Sequence, residues 1–428
     1  MTFIADLHIH SRFSRACSRG LDPETLHQWA QKKGVAVLST GDFVHPKWRS
    51  ELKDKLVPAE PGLFALRPEL ARTADEFVPP SCRAKTRFLL GVEISCIYSK
   101  NGRVRRIHHL VFAPSFSAAE RIAKRLEKIG NVGSDGRPIL GLDSRNLLDI
   151  VLESGEGCRL VPAHAWTPHF GLFGSQSGFD SIEECFGDLS PHVFAIETGL
   201  SSDPPMNWRL KALDRVALIS NSDAHSAEKI GREANVFDTE LSYEGIFTAV
   251  EARDPRRFLG TIEFFPEEGK YHCDGHRQCG ARLTPEQTCR RGGLCPVCGK
   301  HVTVGVLSRV EALADRRLGQ RPAGAAGFES AVPLKEIIGE ILGVGPQSRA
   351  VDKRYGDLLA RFGSELFILR ELDLKILSAT GEQELAQALF RMRAGKARIE
   401  AGYDGEYGRV RLLARSRAGN RLRSGAAV

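Results

Sequence analysis

Between residue 1 and about residue 262 the chain alternates short apolar runs with amphipathic stretches. Phe3, Ile4, Ala5 and Leu7 form the first run. Val35–Ser39, Phe88–Val92, His109–Ala113, Arg159–Pro162, Phe194–Glu197 and Val216–Ser220 follow. Runs this short, bounded by turn-forming and polar residues, read as strands. Helical spacing of apolar positions lies between them, in Asp22–Lys33, Ala118–Gly130, Ser144–Glu153 and Ser181–Phe186. Strand, helix, strand repeated in this way predicts an α/β fold with parallel pairing and helices outside. So many units in about 260 residues suit a barrel better than an open sheet.

In such folds the chemistry sits at the carboxyl ends of the strands, and those ends carry histidines and carboxylates. The first run leads into Asp6-Leu7-His8-Ile9-His10. Residues two apart on an extended chain face the same side, so His8 and His10 can aim at one point. Val35–Ser39 leads into Thr40-Gly41-Asp42 and His45, Phe88–Val92 into Glu93, and Arg159–Pro162 into His164. Phe194–Ile196 leads into Glu197, and Val216–Ser220 into Asn221-Ser222-Asp223-Ala224-His225. His108 and His109 stand at the start of their run, a less regular position. One such residue is often a cap, but six strand ends that each carry one point to metal. Imidazoles and carboxylates without thiolates suit Zn²⁺, Mn²⁺ or Fe²⁺. The candidate ligands are too many for one tetrahedral ion. A cluster of two or three ions, able to hold both the attacking and leaving oxygens of a phosphate ester, follows.

The 428 residues are 42% hydrophobic and 26% charged, ordinary for a soluble globular protein of two or three domains. No apolar run approaches the ~18 residues of a membrane span. The N-terminus enters a strand without a signal-peptide pattern, which predicts cytoplasmic residence. The net charge of +7 is unevenly placed: Lys300–Val428 holds 22 Lys and Arg against 15 Asp and Glu, which leaves the first 299 residues neutral. A basic tail on a neutral body points to an acidic polymer as partner.

Five of the ten cysteines, Cys273, Cys279, Cys289, Cys295 and Cys298, fall within 26 residues. Such a cluster favours metal over disulfides in a chain without a secretion signal. Cys295-Pro296-Val297-Cys298-Gly299 has the form of a zinc knuckle, and His276-x-x-Cys279-Gly280 repeats its spacing with one imidazole. His276, Cys279, Cys295 and Cys298 are the favoured structural zinc ligands, with Cys273 the main competitor and His272 and Cys289 further alternatives. Beyond them, Ile338-x-x-Ile341-x-Gly343-Val344-Gly345 is similar to a helix-hairpin-helix turn. In that turn Gly343 and Gly345 would present backbone N–H groups to a DNA phosphate, with Arg349, Lys353 and Arg354 on the next helix. From Arg415 to Val428 the chain is small, polar and Arg-rich, which predicts a disordered basic tail.

Together, HxH near the N-terminus, the Gly41-Asp42 turn with His45, Gly91-Val92-Glu93, His164 and Asp223-Ala224-His225 resemble the polymerase-and-histidinol-phosphatase (PHP) superfamily. Asp6–Leu26, Ser39–Pro46, His164–Gly187, Glu197–Leu213, Ser220–Phe237, Tyr271–Cys298 and Gly402–Tyr407 resemble endonuclease Q. The resemblance spans nearly the whole chain. It implies a distorted seven-stranded (β/α) barrel over residues 1–262, a zinc module over 263–305 and a mainly helical basic domain over 306–414. It also implies a divalent metal cluster (Zn, Mn, Mg or Fe) held by His8, His10, Asp42, Glu93, His109, His164, Glu197, Asp223 and His225, with His45 and His108 in reserve. Among these, His8, His10, Asp223 and His225 would be catalytic. One departure is that only Arg12 and Arg15 stand where many superfamily members carry an acidic residue after HxH.

The activity implied is cleavage of DNA on the 5′ side of uracil, hypoxanthine, xanthine or an abasic site. A sliding clamp or other repair proteins are further partners of such a role. The loop Ala165–Asp180 supplies candidates for a base pocket in Trp166, His169, Phe170 and Ser175. Two other readings compete: a PHP phosphatase acting on a small phosphate ester, and an inactive nucleic-acid-binding accessory protein. The zinc module and basic tail argue against the first, and intact ligands at every strand end argue against the second.

Overall fold

The structure, a computed structural model, describes residues 1–413; the expected tail from Arg415 to Val428 lies outside the described residues. The N-terminal strand Thr2–Asp6 pairs in parallel with Val37–Ser39 and antiparallel with Ala234–Asp238. Val37–Ser39 pairs in parallel with the start of a long strand, Arg87–Lys100. That strand folds back on Arg103–Ala113 through Asn101-Gly102, whose φ angles of 54° and 72° are those of a tight Asn-Gly hairpin turn. Arg103–Ala113 pairs antiparallel with Arg159–Pro162. Ala195–Glu197 and Ala217–Ile219 form a separate parallel ladder.

All-parallel pairing, expected from the strand–helix alternation, is therefore not what the ladders show. The Asn-Gly turn joins the two longest strands directly, with no helix between them. Glu93 in consequence lies inside a strand, not after its end.

Side chains from these strands share one small inner core, which includes Phe3, Ala5, Leu7, Leu110, Phe112 and Ile219. The helix Tyr243–Ala252 closes it from below with Tyr243, Phe247 and Val250. The other faces join a larger outer core with the helices Pro23–Lys33, Phe116–Glu127 and Ser144–Glu153. Strand ends are tied by the chain beyond them: the His10 N–H donates to the Ala224 carbonyl and that of Ala165 to the Glu197 carbonyl.

The helices Leu334–Leu342 and Arg349–Phe362 pack into the same outer core. Lys33, 4% exposed, lies 2.5 Å from Glu365, whose carboxylate also accepts from the Tyr355 hydroxyl and the Leu334 N–H. Removing one member of a buried pair leaves the other charge uncompensated, at about 3–5 kcal/mol. Glu365→Ala should lose that much stability in urea unfolding. A loss below about 1 kcal/mol, the scale of an exposed pair, would show that this contact does not fasten the helical segment to the body.

Candidate metal centre and DNA cleft

The strand ends converge on Glu93. Its side chain is fully buried, 3.3 Å from His10 Nε2, 2.6 Å from His108 Nδ1, 3.0 Å from His164 Nε2 and 3.1 Å from Arg137 Nη1. Asp223 Oδ1 lies 3.1 Å from His10 Nε2 and 3.5 Å from His8 Nε2. Two groups of donors result, each with its ligand atoms within 4.8 Å of one another: His8, His10, Glu93 and Asp223, and Glu93, His108 and His164. Glu93 belongs to both.

Behind this set a second layer fixes the rings. Glu197 accepts from His8 Nδ1 at 3.0 Å, from the His164 N–H at 2.7 Å and from Asn221 Nδ2 at 2.8 Å. Asp42 lies 3.3 Å from His10 Nδ1 and accepts from the Ser11 N–H and hydroxyl at 2.7 and 2.6 Å. A carboxylate on Nδ1 turns Nε2 toward the centre, the usual role of an outer partner. Asn221 also accepts from the Leu7 N–H, and Asp6 from the Ser222 N–H, so the segment bearing Asp223 is laced to the one bearing His8. Asp42 (φ 52°), His164 (φ 29°) and Asp223 (φ 46°) all adopt left-handed backbone, rare for residues with a side chain and a mark of functional strain.

The donor chemistry fits divalent cations. His8 Nε2 is buried and has no hydrogen-bond partner. Burial opposes charge on His8 and His10, yet Glu197, Asp223, Asp42 and Glu93 outweigh it and raise both pKa values well above the usual imidazole range. The Asp223 pKa is lowered; burial would raise it, but His8 and His10 outweigh that. So many carboxylates around imidazoles make a pocket of negative charge that a cation relieves.

The nine expected ligands separate on this geometry. His8, His10, Glu93, His164 and Asp223 come together, while Glu197 and Asp42 stand behind His8 and His10. His225, a third exposed, sets its ring against His10, centroids 4.5 Å apart and tilted by 53°, and donates from Nδ1 to the Asp223 carbonyl. His109 does not reach the cluster. Adjacent strand residues face opposite sides, and His109 shares the outer side with Ile107 and Val111. Its Nε2 is 2.8 Å from Ser144 Oγ, its ring lies against Phe186, and burial lowers its pKa to about 3. His108, on the side of Leu110 and Phe112, takes the place at Glu93. His45 is turned to the Gly133 carbonyl, and Arg12 to Glu51 and Asp22.

A cleft of about 420 Å³ opens beside the centre, lined by His108, His164, Asp223, His169, Phe170 and Arg137 among others. Of the base-pocket candidates, His169 and Phe170 line this cleft, with the Phe170 ring 4.4 Å from His108. Trp166 does not line it: it is buried and donates to Asn207 Oδ1 at 2.7 Å. Ser175 is exposed and does not line the cleft. Ser95 and Arg137 do line it and escaped the sequence reading, because neither sits at a strand end. The Ser95 hydroxyl is buried and has no hydrogen-bond partner.

Elsewhere, His276, Cys279, Cys295 and Cys298 bring their ligand atoms within 4.8 Å of one another. Cys273 is buried apart from them, its N–H donating to the Gly402 carbonyl, and Cys289 is exposed on the helix Pro285–Arg290. Gly343 (φ 70°) ends the helix Leu334–Leu342, and its N–H donates to the Glu340 carbonyl, so it is not offered to a phosphate as expected. Gly345 stands in open space, Arg349 and Lys353 are exposed, and Arg354 is paired with Glu382 at 2.8 Å.

A family model described as MJ0043 C-terminal domain matches residues 333–396. Uncharacterized protein MJ0043 of Methanocaldococcus jannaschii is 30% identical over 255 residues, 58% of this chain, and the chain spans 31% of that relative. Uncharacterized protein YqxK of Bacillus subtilis is 30% identical over 331 residues, 76% of this chain and 79% of that one. The lesion-specific endonuclease PfuEndoQ of Pyrococcus furiosus superposes with a TM-score of 0.83 at 30% identity, over 96% of this chain and 95% of that one. The chain belongs to the endonuclease Q family. A second endonuclease Q structure, in complex with a 27-mer duplex carrying an abasic lesion at the active site, matches at a TM-score of 0.80 and 30% identity, over 96% of each chain.

Within the endonuclease Q frame, the two neighbouring histidines should separate cleanly. His108→Ala should lower the divalent metal content of the purified protein, and His109→Ala should leave it at the wild-type level. Elemental analysis after dialysis reads both. The reverse order would contradict the placement of the two rings.

Proposed function

We propose that the chain is a DNA repair endonuclease. It hydrolyses the phosphodiester 5′ to deaminated bases (uracil, hypoxanthine, xanthine) and abasic sites, leaving 3′-hydroxyl and 5′-phosphate ends. The observation that carries this reading is the Glu93-centred cluster opening onto a cleft, in a chain that superposes along nearly its full length on a lesion-specific endonuclease. His8, His10, Glu93 and Asp223 would hold one divalent ion (Zn, Mn, Mg or Fe), and Glu93, His108 and His164 a second. Such ions neutralise charge on a phosphodiester and acidify water. Glu197 and Asp42 keep the imidazoles in the tautomer and orientation that ligation needs. The strands around the inner core are read as the distorted seven-stranded PHP barrel of residues 1–262.

Deamination turns an exocyclic amine donor into a carbonyl acceptor. A pocket that offers a donor there accepts uracil and hypoxanthine and leaves cytosine or adenine unpaired, at about 1–3 kcal/mol. Phe170 supplies a face for a flipped base or an abasic gap. Residues 263–305 are read as a zinc module. Their local core is Ala281, Leu283, Cys295 and Val302, too small to fold without a staple. Residues 306–414 are read as the helical DNA-binding domain, in which exposed Arg349 and Lys353 would neutralise backbone phosphates.

Oligonucleotides carrying uracil, hypoxanthine, an abasic site, cytosine or adenine at one position test the reading. Incision 5′ to the first three, abolished by EDTA and restored by Mn²⁺ or Mg²⁺, is expected. Equal cutting of undamaged strands would remove lesion recognition, and no cutting of any strand would remove the nuclease. For the zinc module, Cys298→Ser should lose one equivalent of zinc and expose residues 271–301 to protease. Zinc retained at the wild-type level would contradict the ligand set.

A further inference from the structure

Resting on the nuclease reading, we propose that Arg137 binds a non-bridging oxygen of the phosphodiester that is cut. Asp135 sets it, together with Arg15, as a two-pronged cationic fork along the DNA backbone. The placement of Arg137 follows from the chain around it. Ile139 and Leu140 pair in parallel with Ser95 and Cys96, and the Ser95 N–H donates to the Pro138 carbonyl at 3.0 Å. This lays Arg137 beside Glu93, with Nη1 at 3.1 Å from its carboxylate.

On the other side the Gly136 N–H donates to the Phe13 carbonyl at 3.0 Å. A Cβ at Gly136 would fall inside the Asp42 carboxylate and against Ser14 Oγ, so only glycine lets this loop press on the layer behind His10. Asp135, 6% exposed, then ties the two prongs. Its Oδ1 accepts from the N–H groups of Arg15 at 3.2 Å and Arg137 at 3.1 Å, and its Oδ2 lies 3.2 Å from Arg15 Nε. All three residues line the cleft with His108, His164 and Asp223.

A buried counter-ion for Glu93 would need one contact and no opening. Arg137 uses one nitrogen on Glu93 while a quarter of its side chain, 26%, stays exposed at the cleft. A guanidinium carries five donors in a planar fork that matches a phosphate edge. Placed beside Glu93 and Asp135 in the cleft that Asp223 also lines, it offsets the repulsion that an incoming phosphodiester meets.

The full-length protein, loaded with Mn²⁺, tests this by calorimetric titration with inorganic phosphate, metal analysis and single-turnover incision of an abasic duplex. Arg137→Gln should keep the metal content, weaken phosphate binding at least about tenfold, and slow incision about 100-fold, the scale of one lost charge-stabilising donor. Arg137→Lys should recover only part, since an ammonium cannot bind two oxygens in one plane. Asp135→Asn removes a negative charge and by plain electrostatics would tighten phosphate binding; the fork requires it to weaken. Wild-type phosphate affinity and rate in Arg137→Gln, or loss of its metal, overturns the phosphate role, and tighter binding by Asp135→Asn overturns the fork. If the wild type binds phosphate through Arg137 yet cuts no DNA, the nuclease reading fails and the phosphate site stands.

Discussion

The Glu93 carboxylate has no exposed surface and faces His10, His108, His164 and Arg137 at once. A charge so buried costs several kcal/mol unless it is compensated, and the surrounding architecture supplies that compensation. The long hairpin brings His108 across from Ser95, the turn after Arg159–Pro162 brings His164, and the N-terminal strand brings His10. The imidazoles hold the Glu93 pKa well below the usual carboxylate range against the opposing effect of burial. Rings gathered around shared carboxylates are at the same time a ligand set. The interaction that makes the site expensive to bury is the one that gives it affinity for cations.

Keeping that arrangement requires local strain and a rigid backing. Asp42, His164 and Asp223 take left-handed backbone in the turns that follow Val37–Ser39, Arg159–Pro162 and Ala217–Ile219. The network of Glu197, Asn221, Asn235 and Asp6 absorbs the polar groups those turns bury. Lys33–Glu365 joins the helical segment to the helix that follows the HxH loop. The helical segment and the histidine–carboxylate cluster are thereby held on one scaffold.

Much of this was legible in the chain. The strand runs, the HxH pair, Glu93, His164 and the Asp-x-His end each announced themselves by an apolar run followed by a ligand type. The choice between His108 and His109 was not legible. Both faces of that strand are apolar, Leu110 and Phe112 on one and Ile107 and Val111 on the other, so alternation gives two faces without saying which lies inside. Arg137 and Ser95 were hidden because a mid-strand serine and a loop arginine look like ordinary surface residues until pairing places them together. Asn101-Gly102 was readable as a hairpin signal, and it overrides the parallel pairing that the surrounding pattern favours. Glu197 and Asp42 show the limit of residue type as evidence: a carboxylate at a strand end can hold a ligand as well as be one.

In the proposed function two cations share Glu93. Anomalous diffraction from crystals of the full-length protein grown with Mn²⁺ measures it most directly. Two manganese peaks are expected, one among His8, His10, Glu93 and Asp223 and one among Glu93, His108 and His164. Density at His109 or Glu197 with none at Glu93 would contradict it.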